Sequence, residues 1–255
     1  MRMIDLSHPV TAGMMVYPGD PEVRSHEALH VGSDGVAVTE LTLGSHTGTH
    51  IDAPSHTVEG GRTIDRIPLD ALTGEALVLH VADRAGESQR IDAAMLGLER
   101  FASVPPLVAI RTGWDRRFGE ERALRHPFLC PEAARELRDR GMRVLIVDTL
   151  SPDPSAPVSS ETDPSAPVPA GASGSLPGDV DPEQALPVHA VVLGGDGAIV
   201  ENARGLEALG ERAEIGIFPL PLAGADGAPA RLVAWVDEDR DPAALAEGGG
   251  HRPGW

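Results

Sequence analysis

Between Ser45 and His56 the chain reads SHTGTHIDAPSH, which places three histidines and an aspartate, His46, His50, Asp52 and His56, within eleven residues. Two imidazoles and a carboxylate are a common protein ligand set for a divalent transition metal, and three protein ligands leave one coordination position open for water or substrate. A further histidine nearby can serve proton transfer instead of the metal. The alternative is a histidine-rich surface loop; the spacing favours a metal site.

The bulk composition is that of an ordinary globular protein and limits the kinds of partner. The chain has 255 residues, of which 41% are hydrophobic and 24% charged, with a formal net charge of −18. This charge disfavours nucleic acid and anionic membranes, since their phosphates would be repelled. Cys130 is the only cysteine, and no apolar run has the length of a signal peptide or a membrane span. We therefore expect a cytoplasmic protein with one domain over residues 1–239 and a flexible tail over 240–255.

Short apolar runs predict a strand-rich domain with a few helices. Alternation of polar and apolar residues at Val38–Leu43 predicts a half-buried strand that leads through Gly44 to His46. Five further apolar, β-rich runs predict strands at 76–81, 107–111, 143–147, 214–218 and 231–236. Helices are predicted at 92–100 and 131–140, the second starting at a proline and followed by a glycine.

Residues 151–181 are rich in proline, serine, alanine and glycine and contain a duplication, since Asp153–Val158 recurs as Asp163–Val168. Such a composition cannot bury enough apolar surface to order itself, so we predict a mobile insertion loop. Because the loop leads to the segment that carries His189, it is either a lid beside the site or a tolerated insertion, and the second is favoured.

A second candidate constellation follows this segment. The pattern predicts a short helix over 187–193, a turn over 194–197 and a buried strand over 198–200. His189 and Glu201 could then meet in space although twelve residues separate them. Taken alone, a solvated histidine and a glutamate at a strand end are the default interpretation.

An eleven-residue motif gives the chain a family resemblance. The pattern H-x-G-T-H-x-D-x-P-x-H is matched at every fixed position, by His46, Gly48, Thr49, His50, Asp52, Pro54 and His56. The chain thereby resembles the metal-dependent cyclase/hydrolase family, which includes bacterial kynurenine formamidases and isatin hydrolases. The resemblance runs from Ile4 to about Pro219 and is supported by VYPGD at 16–20, RTGW at 111–114, DTLSPD at 148–153 and the His189–Glu201 spacing.

The resemblance implies a fold and a ligand set. The fold is a compact α/β domain around a β-rich, partly barrel-like sheet with flanking helices, assembled as a homodimer or homotetramer. His46, His50, Asp52 and Glu201 resemble the ligands of a first metal ion, and Asp52, His189 and Glu201 those of a second. A carboxylate has two oxygens and can bridge two cations, whereas an imidazole offers one nitrogen. Zinc is the first expectation, at one or two ions per subunit, and manganese is the alternative.

The resemblance also implies an activity, the hydrolysis of a C–N bond in a small amide or cyclic amide. A metal lowers the pKa of water from about 15.7 towards 7 and polarises the scissile carbonyl. His56 resembles the family's general acid/base, which moves a proton from the attacking water to the departing nitrogen. The alternative for His56 is a third metal ligand or a residue that orients one. Gly48 is expected to allow a tight turn between ligands, and Thr49 to orient a ligand or water.

The favoured substrate is N-formylkynurenine, an intermediate of tryptophan catabolism, and an isatin-like lactam or a lactone is the alternative. Tyr17 is expected to contact the substrate, because it stands where formamidases typically carry a tryptophan. Thr57 stands where an aromatic residue is common, and aromatic residues make up only 3% of the chain. A rival of another class is a catalytically silent metal- or ligand-binding protein. His56 argues against this rival, because a purely structural site would not need it.

The remaining histidines have no ligand-like spacing. His80 lies in an apolar run and is expected in the core or at a strand end. No role is assigned to His8, His26, His30, His126 or His251. Asp65 and Asp70 are expected to be helix-cap or turn residues.

Overall fold

The computed structural model describes residues 1–155 and 186–236. The predicted loop at 151–181, apart from its first five residues, and the predicted tail at 240–255 lie outside the described residues. The strands are β1 (Arg2–Asp5), β2 (Arg24–Leu29), β3 (Val38–Thr42), β4 (His50–Asp52), β5 (Thr73–His80), β6 (Arg90–Ile91), β7 (Leu107–Arg111), β8 (Phe128–Leu129), β9 (Val144–Val147), β10 (Ala198–Glu201), β11 (Arg212–Pro219) and β12 (Gly227–Val236). The α-helices are α1 (Val31–Asp34), α2 (Ala93–Leu96), α3 (Pro131–Asp139) and α4 (Pro187–Leu193). None of these helices has the length and apolar character needed to cross a membrane.

Seven strands form a closed, barrel-like sheet. Their order is β12-β11-β5-β7-β9-β10-β4, and β4 pairs back with β12. The four strands from β5 to β10 in this order run parallel, and the remaining pairs are antiparallel. The ten-residue β12 pairs with β4 through its first part and with β1 through its last. The predicted α/β fold around a partly barrel-like sheet is therefore confirmed.

The parallel strands are apolar on both faces because both faces are covered. Val78 and Ile146 belong to an inner cluster to which all seven strands of the ring contribute. Their neighbours Leu77 and Leu145 pack on the other side, in a cluster that includes residues of α2, α3 and α4. Parallel strands covered in this way have continuous apolar sequences, which is why the sequence identifies them.

The predicted helix over 92–100 is wrong in its length. Asp92 caps it as its sequence position indicates, by accepting a hydrogen bond from the backbone N–H of Met95. The α-helix ends after four residues because Gly97 has a positive φ of 65°, and a 3₁₀ turn over Leu98–Arg100 follows. The left-handed conformation at Gly97 is a common way to end a helix.

The prediction of a half-buried strand at Val38–Leu43 is wrong about burial. β3 forms, but it pairs with β2 in a separate two-stranded sheet and not with the closed sheet. All residues of both strands are exposed, including Val38 and Leu41 at 46% and 56%. The alternating pattern correctly predicts a strand at this position, but no described element covers the apolar face of β3.

Candidate metal centre

The two candidate groups of ligands meet on the outer face of the closed sheet. β4 lies between β10 and β12, and its register places His50 opposite Glu201. Side chains alternate along a strand, so His50 and Asp52 share one face while Ile51 points into the inner core. Helix α4 adds His189 to the same face. Long-range pairing of β4 with β10 thus brings together residues that are about 150 positions apart in the sequence.

Asp52 and Glu201 each lie between the imidazoles of His50 and His189. The Nε2 atom of His50 is 3.3 Å from Asp52 Oδ1 and 3.3 Å from Glu201 Oε2. The Nε2 atom of His189 is 3.6 Å from Asp52 Oδ2 and 3.4 Å from Glu201 Oε1. Each carboxylate therefore offers a different oxygen to each histidine, which is the arrangement required of a carboxylate that bridges two cations.

The other ring nitrogen of each of these histidines is held by an acceptor. His50 Nδ1 donates to the carbonyl oxygen of Gly48 at 2.8 Å, and His189 Nδ1 donates to Asp153 Oδ2 at 2.7 Å. Asp153 also accepts from the backbone N–H groups of Val188 and His189 and thereby caps α4. With Nδ1 committed, Nε2 is the nitrogen that faces the carboxylates, and such outer contacts fix ring orientation in metal sites.

His46 and His56 extend the cluster towards solvent, and Asp226 holds both. His46 Nδ1 is 2.7 Å from Asp52 Oδ1, and its Nε2 is 2.9 Å from Asp226 Oδ2. The same Asp226 oxygen is 3.2 Å from His56 Nδ1. Gly227 leaves the space for the His46 ring, since a Cβ atom there would lie 2.9 Å from His46 Cε1 and 2.7 Å from the Ile51 carbonyl oxygen.

The donor set fits a divalent metal. His50 Nε2 and Asp52 Oδ2 are buried without a hydrogen-bond partner among the described residues, and an unsatisfied buried polar atom is costly unless something binds it. Donor atoms of His50, Asp52 and Glu201 lie within 4.8 Å of one another, and so do those of His46, Asp52 and His56. Imidazole nitrogens and carboxylate oxygens suit zinc and manganese.

The carboxylates of the cluster shift the pKa values of its histidines. Burial alone would lower the pKa of each imidazole, but hydrogen bonds with Asp226 and Asp52 raise the pKa of His46 to about 9. Asp52 and Glu201 likewise hold the pKa of His50 well above its usual value. A metal ion requires neutral imidazoles, so metal binding displaces these protons and weakens at low pH.

Two further groups lie close enough to the cluster for charges to interact. Burial raises the pKa of the Asp20 carboxyl, and the nearby His46 and His50 oppose this shift. Burial also raises the pKa of the Tyr17 phenol, which lies in the field of Glu201 and His189. The predicted substrate contact Tyr17 is thus brought to the same side of the molecule as the candidate ligands.

Thr49 and Gly48 act on the backbone around the ligands. Gly48 has a φ of +62°, so the turn between His46 and His50 uses the left-handed region, as the sequence predicts. The hydroxyl of Thr49 donates to the Asn202 carbonyl at 2.6 Å and accepts from the backbone N–H of His8 at 2.8 Å. Thr49 therefore ties the ligand turn to neighbouring segments, and no described ligand atom contacts its hydroxyl.

Sequence reasoning missed Asp153 and Asp226 as site residues. Asp153 lies in the family-like stretch DTLSPD, so its position carried a signal that was not assigned to a role. Asp226 lies in a Gly-Ala-Asp-Gly turn, a context in which aspartate is ordinary. Its contacts arise because the first residues of β12 pair with β4, which the local sequence does not indicate.

Known proteins match the chain over most of its length. It is 28% identical over 242 residues to a kynurenine formamidase of Bordetella petrii, covering 91% of this chain and 97% of the relative. It is 34% identical over 164 residues to a kynurenine formamidase of Paracidovorax citrulli, covering 60% of this chain and 72% of the relative. Isatin hydrolase A from Labrenzia aggregata shares the fold, with a TM-score of 0.73 at 22% identity over 91% of this chain and 93% of that chain.

The fold, the cluster and these relatives define a metal-dependent hydrolase. Within that class the chain belongs to the Cyclase family, whose model matches residues 4–154. The match contains the ligand motif of β4 and ends one residue beyond Asp153, so it includes both Tyr17 and the cap of α4.

Proposed function

We propose that this chain hydrolyses the formamide bond of N-formylkynurenine, as an arylformamidase of tryptophan catabolism. The observation that carries the proposal is the placement of Asp52 and Glu201 between His50 and His189, with His56 beside them. The kynurenine formamidases among the relatives support the substrate.

The proposed metal ligands are His46, His50, Asp52, His189 and Glu201. Zinc is the proposed ion, at one or two per subunit, and manganese is the alternative because both accept imidazole and carboxylate ligands. A bound ion supplies Lewis acidity, which activates water and polarises the carbonyl. The chain's own contribution is to hold these side chains in place through Gly48 and Asp153 and to keep the cluster buried.

His56 is the proposed general acid/base. Its Nδ1 lies 3.2 Å from Asp226 Oδ2, so the carboxylate accepts the Nδ1 proton and leaves Nε2 free to exchange a proton. Its ring centroid is 4.1 Å from that of His46 and 5.8 Å from that of His189, which places it at the edge of the cluster. From there His56 takes a proton from the attacking water and delivers it to the departing nitrogen.

An isatin-like lactam, or a lactone, is the second candidate substrate. Tyr17, the proposed substrate contact, has a smaller ring surface than the tryptophan that formamidases typically carry. The fold that the chain shares with isatin hydrolase A supports this second candidate.

Metal analysis tests the basis of the proposal. Protein purified without chelator should contain about one to two divalent ions per subunit, measured by elemental analysis, because the ligands form two overlapping groups. Chelation should abolish hydrolysis, and Zn²⁺ or Mn²⁺ should restore it. A chain that neither contains nor takes up these ions would remove the premise.

A substrate screen then separates the candidates. The metal-loaded enzyme should hydrolyse N-formylkynurenine with kcat/KM of about 10⁴ M⁻¹s⁻¹ or better. Tyr17→Trp should preserve or improve this value, since the larger ring adds stacking surface for an aryl substrate. Opening of a lactam or lactone without formamide hydrolysis would change the proposed substrate and leave the assignment as a metal-dependent hydrolase unchanged. Bound metal without any hydrolysis would favour a silent binding protein.

We also propose that the enzyme is a cytoplasmic homodimer or homotetramer. The β2–β3 hairpin supports the assembly, because it is exposed on both faces and carries aliphatic residues. Val31, Val36 and Leu41 are exposed by 65%, 54% and 56%. The single buried Cys130 fits a reducing compartment.

A further inference from the structure

The residue that follows the candidate ligand Glu201 has an uncommon backbone conformation. Asn202 has a φ of +55° and is buried, with 6% of its surface exposed. Residues other than glycine rarely adopt this left-handed region, and asparagine tolerates it better than most. If strand β10 continued through Asn202, the side chain would point to the face opposite to that of Glu201. The left-handed conformation breaks this alternation directly after the candidate ligand.

Asn202 is hydrogen-bonded twice to the turn that precedes β4. Its side-chain Nδ2 donates to the carbonyl oxygen of Gly48 at 3.1 Å. Its own carbonyl oxygen accepts from the hydroxyl of Thr49 at 2.6 Å. Its backbone N–H donates to the carbonyl oxygen of Thr149 at 2.9 Å. These hydrogen bonds fix Asn202 and connect the end of β10 to two consecutive residues of the ligand motif.

The carbonyl oxygen of Gly48 accepts a second hydrogen bond, from a candidate metal ligand. His50 Nδ1 donates to it at 2.8 Å, and a carbonyl oxygen has two lone pairs, so it can accept both donors. Glycine has more backbone freedom than any other residue. The Gly48 peptide group can therefore orient His50 only if a further contact holds it, and the amide of Asn202 provides that contact.

The contacts form a closed ring that includes two candidate ligands. Glu201 is covalently joined to Asn202, and hydrogen bonds lead from Asn202 to Gly48 and from Gly48 to His50. His50 Nε2 returns to Glu201, at 3.3 Å from Oε2. This Nε2 is buried without a hydrogen-bond partner among the described residues, so it is the atom available to a metal. The Asn202 amide thus acts on the direction of that atom through Gly48.

We propose that Asn202 is a positioning residue of the metal centre, which holds the Gly48 carbonyl and thereby orients His50 relative to Glu201. The inference rests on the proposed function, since it assumes that His50 and Glu201 bind the metal. A purely structural role, in which Asn202 only completes the backbone turn after β10, is the competing explanation. Only the positioning role requires the side-chain amide.

The Asn202→Gly variant separates the side chain from the backbone conformation. Glycine adopts a φ of +55° without strain but cannot donate to Gly48. The variant should bind Zn²⁺ about 10 to 100 times more weakly, the usual effect of removing a contact that orients a metal-binding histidine. Competition with a chelator of known affinity measures this change. The visible absorption spectrum of the Co²⁺-loaded protein should also change, because its bands report the geometry of the ligands.

Two further variants control for effects on the backbone and on folding. Ser88 also has a positive φ, of 51°, and precedes β6, which belongs to a separate sheet. Ser88→Gly should therefore leave the Zn²⁺ affinity and the Co²⁺ spectrum unchanged. Asn202→Asp keeps the size of the side chain and its tolerance of the left-handed region, but the ionised carboxylate has no hydrogen to donate. It should change the Co²⁺ spectrum as Asn202→Gly does.

The possible failures have different signatures. Folded Asn202→Gly and Asn202→Asp proteins with the wild-type Co²⁺ spectrum, and with a lower melting temperature as their only defect, would overturn the positioning role. The proposed function would then stand. A wild-type chain that binds metal but hydrolyses no formamide would overturn the proposed substrate alone. A wild-type chain that binds neither Zn²⁺ nor Co²⁺ would overturn the proposed function and this inference together.

Discussion

His56 differs from the other histidines of the cluster in its exposure. Its side chain is 27% exposed, compared with 3% for His50 and 4% for His189. A buried imidazole between carboxylates suits a metal ligand, whereas a partly exposed one can exchange protons with water and substrate. Because a donor atom of His56 also lies within 4.8 Å of those of His46 and Asp52, metal binding by His56 is the competing role.

Two alanine variants separate these roles. His56→Ala should lower kcat by a factor of about 100 or more, the usual contribution of a general acid/base, and leave metal content nearly unchanged. Asp52→Ala should lose both activity and metal, because Asp52 faces both His50 and His189. Metal content and kcat are measured on the same preparations. Equal metal loss in both variants would make His56 a ligand.

His8 makes the stability of the fold depend on pH. Its ring stacks on Phe118 with the centroids 4.2 Å apart, and its Nε2 is buried without a partner among the described residues. Burial, and secondarily the nearby Arg204, lower its pKa from 6.5 to about 4. The unfolded chain therefore binds the proton more readily than the folded chain. The contribution of the neutral His8 to the free energy of unfolding is fully present above pH 6.5 and is lost as the pH falls towards 4.

The His8→Phe variant should reduce this pH dependence. Phenylalanine keeps the stack on Phe118 but cannot take up a proton. The free energy of unfolding, measured by urea denaturation, should fall less between pH of about 7 and 5 than in the wild type. His26→Phe is the matched control at an exposed position in β2. An unchanged slope in His8→Phe would contradict the assignment to His8.

At the scale of elements, the packing at the start of β12 affects both the stability of the fold and the position of a candidate metal ligand. Gly227 pairs with Asp52 of β4, and the His46 ring occupies the space where a side chain would stand. A methyl group there would contact the Ile51 carbonyl oxygen at 2.7 Å, which is shorter than real Cβ contacts. The position therefore requires glycine for reasons of space and not of backbone conformation.

The Gly227→Ala variant should be less stable by about 1–3 kcal/mol, the usual cost of inserting a methyl group into a well-packed region. It should also bind metal more weakly, since His46 has to move. Thermal denaturation and metal titration measure the two effects. Gly86→Ala adds a methyl group in open space and should change stability by less than about 0.5 kcal/mol. A stable Gly227→Ala with normal metal affinity would refute this account of the β4–β12 junction.

The sequence predicts the elements whose pattern depends on local packing. β7 at Leu107–Arg111 and α3 at Pro131–Asp139 have the expected places because their apolar residues and flanking signals are continuous. β4 has no such signal, since two of its three residues are His50 and Asp52 and only Ile51 is apolar. The polar ligand residues interrupt the apolar pattern by which a strand is predicted. The same residues that identify the metal site therefore prevent the prediction of β4.

The candidate site is predictable only where the sequence keeps its members close together. His46 to His56 are identified from their spacing, and His189 and Glu201 from a family pattern. Asp226 contacts two of these histidines through pairing of β12 with β4, across 180 and 170 residues. Contacts of this kind depend on sheet topology, which no local pattern of one sequence contains.

At the scale of the whole molecule, the exposed β2–β3 hairpin is the surface through which we expect the subunits of the proposed assembly to associate. Leu41→Glu places a charge among the aliphatic residues of β2, α1 and β3 and should shift the assembly towards monomers, because burying an unpaired charge is costly. Sedimentation velocity measures the distribution. Leu69→Glu, at a site that is 58% exposed outside the hairpin, is the control and should leave the assembly unchanged. A wild-type chain that sediments as a monomer would contradict the proposed homodimer or homotetramer.

Strand β12, which closes the sheet by pairing with β4, also determines when the site can assemble during protein synthesis. His50 and Asp52 are made early, but β4 is held between β10 and β12, whose residues follow it by about 150 to 180 positions. A ribosome adds roughly 5–20 residues each second, so the growing chain carries its ligand motif for about ten seconds or more without those partner strands. Metal capture by the complete cluster must therefore wait until β12 has left the ribosome, and a nascent chain stalled before Gly227 should not retain the ion.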